Sequence, residues 1–254
     1  MFLYHGKMLA IYCKELRSYF INAVGYVYSG IFLALAALLC CFTTLKSSSY
    51  GTSAYFTYMI FALVVLIPLL TMRLFAEERK LRTEQLLLTA PVTLTGMVLG
   101  KFFAAFTLFV SSVIISCINF FPLYAIAVVE RNGSYSTTHV GPATAEIVGR
   151  TIGLILIGAA FIAIGLFISA LTENQLSAAV ITIAVLAGTV VLSMANQYIN
   201  VYAVRFVLDW ICVLSRYANF SYGMFDWSAL LYYISITAVF LFLTIRVYDR
   251  RRWN

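Results

Sequence analysis

"EERKLRTEQLLLTAPVTLTGMVLGK", residues 77–101, packs charges, a Thr-Glu-Gln triplet, a leucine run and an Ala-Pro stop between two long apolar segments. What such a stretch does depends on the solvent around it, and composition decides that. Of 254 residues, 63% are apolar and only 11% charged, with the apolar residues gathered in long runs. Crossing a hydrocarbon core of roughly 30 Å takes about 20 largely apolar residues at 1.5 Å rise each. Segments 22–44, 55–76, 102–128, 147–171, 176–195 and 229–247 meet that requirement. In lipid each must satisfy its own backbone N–H and C=O groups, and none shows the polar/apolar alternation of a barrel strand. The expected fold is an all-α integral membrane protein of six spans, one transmembrane domain over residues 1–254.

An even number of spans puts both chain ends on one side, and basic residues say which. Lys7, Lys14, Arg17, Arg73, Arg79, Lys80, Arg82, Lys101, Arg246, Arg250, Arg251 and Arg252 fall on the side of the termini and of the opening stretch. Lys46, Arg131, Arg150, Arg205 and Arg216 fall on the other. The richer side is expected to be cytoplasmic. Topology then accounts for the net charge of +7 without any nucleic-acid partner.

The first span is preceded by "MLAIYCKELRSYF", in which Leu9, Tyr12, Cys13, Leu16 and Phe20 recur at spacings of three and four, with Lys14, Arg17 and Ser18 opposite. This is not a cleaved signal pattern, because the apolar run that follows is too long. It reads as an amphipathic helix lying at the inner membrane face, or else as an extension of span one into water. Cys40, Cys41 and Cys117 fall inside spans, Cys13 and Cys212 outside them, so no disulfide framework is expected. His5 and His139 are the only histidines, which argues against a zinc site.

Within the opening stretch, "GMVLGK" at 96–101 imitates a phosphate-binding loop, but Gly96 and Gly100 are one residue too close and Phe102 stands where Ser or Thr should hold magnesium. The two glycines are better explained by the close approach of a neighbouring helix. Upstream, Thr83 can cap a short helix with Glu84 and Gln85 in its first turn, where the helix dipole favours acids. Leu86, Leu87 and Leu88 follow, and Pro91 disfavours helical geometry at Ala90. Such a leucine-bearing helix outside the lipid suggests a docking surface.

On the far side, the segment joining spans five and six is too polar to cross yet rich in Tyr and Trp, with Arg205 and Asp209 four apart. Arg205, Asp209, Trp210, Tyr217 and Phe220 are candidates for short external helices capping the path. Trp210, Tyr217, Tyr222 and Trp227 equally fit an interfacial aromatic belt. No Asp, Glu, Lys or Arg falls near the middle of a span, which disfavours proton-coupled carriers and intramembrane hydrolases. Gly149, Gly153 and Gly158 in span four are candidate close-packing points.

These residues carry a resemblance. "CKELRSYFINAVGYVYSGIFLA" (13–34), residues 77–105, "GLFISALTENQLSAA" (165–179) and "DWSALLYYISITAVFLFLTIRVYDRRRW" (226–253) together resemble permease subunits of ABC-2 type ABC transporters, most closely the gliding-motility type. Asn22-Ala23 stands where such permeases often have Ser-Pro, and Leu81-Arg82 replaces a small residue. The resemblance implies the permease subunit of an ATP-driven exporter in a bacterial inner membrane, with no catalysis and no cofactor on this chain. ATP and magnesium would be held by a separate ATPase, in two copies beneath a permease homodimer, with membrane lipids around it and room for a periplasmic accessory protein.

It further implies that Thr83–Pro91 is a coupling helix against the ATPase, with Thr83, Glu84, Gln85, Leu87, Leu88 and Pro91 at the contact. Glu77, Glu78 and Arg79 would continue span two as a lever. The amphipathic start corresponds to a connecting helix, in which Lys14, Glu15 and Arg17 are candidates to meet Glu77 or Glu78. The alternatives are a scaffold of an ABC-like mechanotransmission assembly without substrate flux, marked by ATP turnover without transport, and a membrane-embedded enzyme, marked by lipid turnover without an ATPase.

Overall fold

The structure, a computed structural model, describes residues 2–45, 51–80, 93–133, 143–196, 214, 216–220 and 226–253. Among them the regular structure is helical throughout, and six helical segments are long and apolar enough to cross a membrane. The chain is a six-span helical membrane protein. The spans run Val24–Thr44, Ser53–Lys80, Leu94–Ala127, Thr144–Leu171, Gln175–Ala195 and Trp227–Arg252.

The expected boundaries agree closely for spans one and five. Span three differs most: it starts at Leu94 rather than near 102, because Thr93 caps it, its Oγ1 accepting the Gly96 N–H at 3.2 Å. "GMVLGK" therefore lies inside a helix.

The N-terminal helix, Phe2–Ile21, is separate from span one. The break is at Asn22-Ala23, where Ala23 adopts φ 56° and ψ −7°. A left-handed alanine costs roughly 1–2 kcal/mol, so the turn is held by what flanks it. A proline, locked near φ −65°, could not make it. The N-terminal helix lies along span three, with Met8 and Ile11 against Gly96 and Gly100. A side chain at Gly100 would meet the Ile11 methyl at 3.1 Å and the Met8 carbonyl at 3.3 Å, so Gly100 serves the close approach expected of it, whereas a side chain at Gly96 would crowd the Thr93 cap of its own helix.

The apolar stripe of this helix is split by the packing. Tyr12 and Tyr19 turn inward with Ile11 and Glu15, while Leu9, Cys13 and Phe20 remain exposed and face away from the bundle. The stripe that defined the helix in sequence is therefore only partly its protein-facing side.

Spans two, three and four form the interior, with 67%, 56% and 72% of their most apolar windows buried, against 28%, 33% and 22% for spans one, five and six. Span four is the axis, packed by spans two, three, five and six. Small residues allow this. Gly158 receives the Phe109 ring of span three, Gly165 receives the Thr71 side chain of span two, and Gly153 receives Tyr217 and Phe220. Span two is itself two helices, Ser53–Thr71 and Ala76–Lys80, joined by a turn over 72–75 one residue past the turn that begins at Pro68.

Candidate functional site

At the end of the bundle that holds both chain termini, side chains of spans three, four and six meet at the turn at 72–75. A turn inside a spanning segment frees backbone groups that lipid cannot satisfy. Ser169 of span four meets part of that demand. Its Oγ accepts the N–H groups of Phe75 and Ala76, both at 3.2 Å, and donates to the Met72 carbonyl at 3.4 Å. Lys101 of span three meets more. Its ammonium donates to the Leu74 carbonyl at 2.7 Å, to Glu78 Oε1 at 2.8 Å and to Glu15 Oε1 at 3.1 Å, which uses all three N–H bonds.

Lys101 is 1% exposed, its two carboxylate partners 13% and 17%. A lysine so buried is stable only when paired and hydrogen-bonded. The ammonium also lies 5.0 Å from the centre of the Phe75 ring, and Phe75 packs on Tyr248 of span six with ring centres 4.7 Å apart. One cation thus joins the N-terminal helix, the turn and second half of span two, span three and, through Phe75, span six.

The surrounding charges are consistent with this centre. Arg73 grips Glu77 with two hydrogen bonds, 2.9 and 2.7 Å. Arg79 donates to the Leu171 carbonyl at 3.1 Å and pairs with Glu173 at 3.0 Å, tying the end of span two to the turn between spans four and five. Tyr19 donates to the Leu70 carbonyl at 3.1 Å, and burial, reinforced by the charge of Glu15, pushes its phenol pKa well up, so it remains a donor across the physiological range.

The sequence candidates distribute as follows. Glu15, Glu77, Glu78 and Arg79 gather at this knot. The described partner of Glu78 is Lys101 and that of Glu77 is Arg73, so the expected contacts with Lys14 or Arg17 give way to cations on spans three and two. Lys14 sits 3.7 Å from Glu15 with its side chain 63% exposed, and Arg17 is exposed. Thr83, Glu84, Gln85, Leu87, Leu88 and Pro91 lie outside the described residues, as do Arg205, Asp209 and Trp210.

At the opposite end Tyr217 and Phe220 are buried on span four, and the Tyr217 hydroxyl donates to the Arg150 carbonyl at 3.4 Å. Arg150, counted in sequence with the outer side at the start of span four, lies about two turns inside that helix, 5% exposed, and paired with Glu146 at 2.7 Å. Lys101, Ser169 and Tyr248 were not among the candidates; a lysine followed directly by "FFAAF" was the available signal.

Ser169→Ala removes the acceptor of two buried N–H groups. We expect a loss of about 1–3 kcal/mol in stability, measured as a lowered unfolding midpoint in detergent, while Ser111→Ala, which removes only a hydroxyl bonded within its own helix, changes little.

No family model matches the sequence, and no curated protein matches it.

Proposed function

We propose that this chain is the permease subunit of an ATP-driven ABC exporter, with its termini and the 81–92 loop in the cytoplasm and ATP hydrolysed on a separate subunit. The observation that carries the reading is the bracketing of that loop. It leaves from Lys80, directly after Glu78 and Arg79, and returns at Thr93, two helical turns before Lys101. Both ends are therefore fixed to the same knot, and a displacement imposed on residues 81–92 reaches spans two, three, four and six together.

In this reading Leu87 and Leu88 dock against the ATPase and Glu84 fixes the contact. Glu78 and Lys101 pass the movement inward, and two copies of the chain enclose the path. The basic residues on the side of the termini support the orientation. The resemblance over residues 77–105 and 226–253 supports the class.

The test is co-purification with the ATPase encoded beside this chain, comparing wild type with Glu84→Ala/Leu87→Ala/Leu88→Ala. Loss of the complex from a variant that still inserts is the expected result. An intact complex with full ATP turnover would overturn the assignment of the loop.

A further inference from the structure

The break in span two is held open from outside. Tyr19 of the N-terminal helix donates to the Leu70 carbonyl at 3.1 Å and Lys101 of span three to the Leu74 carbonyl at 2.7 Å. Ser169 of span four donates to the Met72 carbonyl and accepts from the Phe75 and Ala76 amides, which uses the full capacity of its hydroxyl. The Leu74 N–H goes to the Thr71 carbonyl at 3.2 Å, three residues back, where an α-helix would use Leu70. Side chains from three other elements thus occupy the backbone groups that the turn uncouples.

An unbroken helix would pair the same groups internally: Leu74 N–H with the Leu70 carbonyl, Phe75 with Thr71, and Ala76 with Met72. Within a bilayer, two arrangements of one segment are both stable only where the backbone is satisfied in each, and here it is. The released side chains also have second partners. A serine in a span bonds readily to the carbonyl four residues back, as Thr71, Thr172 and Thr182 do in this protein. Lys101 retains Glu15, which belongs to another element. Tyr19 lines a polar cavity of about 40 Å³ with Glu15, Ser18, Arg73 and Glu77, room for about one or two water molecules. We propose that the turn at 72–75 is a two-state switch: span two alternates between this broken form and one continuous helix from Ser53 to Lys80, with Ser169, Lys101 and Tyr19 as the latch on the broken form. Closing the break re-aims Ala76–Lys80 relative to Ser53–Thr71 and turns the Phe75 ring on Tyr248 of span six. The switch rests on the packing of the bundle and is independent of the exporter reading.

The full-length chain, carrying 4-fluorophenylalanine at position 75 and held in lipid nanodiscs, is read by fluorine NMR, with amide hydrogen exchange over residues 74–76 followed in parallel. The destabilisation expected of Ser169→Ala falls on the broken form alone. That variant should raise a second fluorine signal about tenfold relative to the first, and its Phe75 and Ala76 amides, now bonded within span two, should exchange no faster than in wild type. Adding Ala76→Pro should return the first signal, because proline is accepted at the first position of Ala76–Lys80 but clashes with the Met72 carbonyl in a continuous helix. Tyr19→Phe, which removes one holder and leaves the ring, should shift the signals the same way by a smaller factor. A single fluorine signal in Ser169→Ala, or faster exchange of its two amides, would show a fixed break. A second signal that survives Ala76→Pro would show motion of the ring alone. Either result overturns the proposal, and where the proline variant does not fold, the amide exchange of Ser169→Ala decides.

Discussion

Lys101→Met is expected to lose about 3–5 kcal/mol, the largest effect of any single substitution at the knot. The loss does not equal the strength of the ion pairs. It arises because Glu15 and Glu78, both mostly buried, are left without their shared cation, and the Leu74 carbonyl without its donor. The prediction therefore has a second arm: Lys101→Met/Glu15→Gln/Glu78→Gln, which removes the stranded charges, should recover more than half of the loss. Unfolding midpoints of the purified protein in one detergent read both arms. A single variant that melts with wild type, or a triple variant less stable than the single one, would show that the buried network does not hold the turn.

The second large effect is at Gly158. A methyl group there would collide with the edge of the Phe109 ring, and Phe109 is fully buried with Phe32 edge-on to it at 6.2 Å, so the ring can shift only by disturbing a close-packed interior. Gly158→Ala is expected to cost about 1–3 kcal/mol through overpacking. Adding Phe109→Leu should restore part of that, a coupling that a double-mutant cycle measures directly. Gly188→Ala is the matched control. It adds the same methyl where no atom lies within 4 Å, and the better helix propensity of alanine should leave the protein equal or slightly more stable.

The helical spans were legible in the sequence because lipid permits so few structures: an apolar run of sufficient length has to be a helix. Their ends were less legible. Hydropathy puts Lys101 outside span three, as it would any lysine, yet its charge is neutralised by acids from two other segments, and the helix starts two turns earlier at a threonine cap. Arg150, near the outer end of span four in sequence, is held inside the helix by Glu146. In both cases the partner, and not the residue itself, determines the depth.

Within the site, the acids at 77 and 78 and Arg79 stood out as charges at a span end, and Gly153 and Gly158 as small residues on an apolar helix. Ser169 carried no signal. Its role comes from N–H groups freed ninety-odd residues earlier in the chain by the turn at 72–75, a relation that no local pattern encodes. Tyr248 was likewise one tyrosine among many until the fold brought it to Phe75.

The glycine-lined axis also sets a schedule for biosynthesis. A membrane chain is made from its N-terminus, so spans two and three enter the bilayer before the helix that accepts Thr71 and Phe109 has been translated. Until span four arrives, Phe109 has span one beside it but not its seat on Gly158, Thr71 lacks Gly165, and the Phe75 and Ala76 amides have no Ser169 to receive them. The half-made protein is therefore exposed to quality-control proteases until residue 171 clears the insertion machinery, and a pause in translation between spans three and four would lengthen that exposure more than a pause anywhere later.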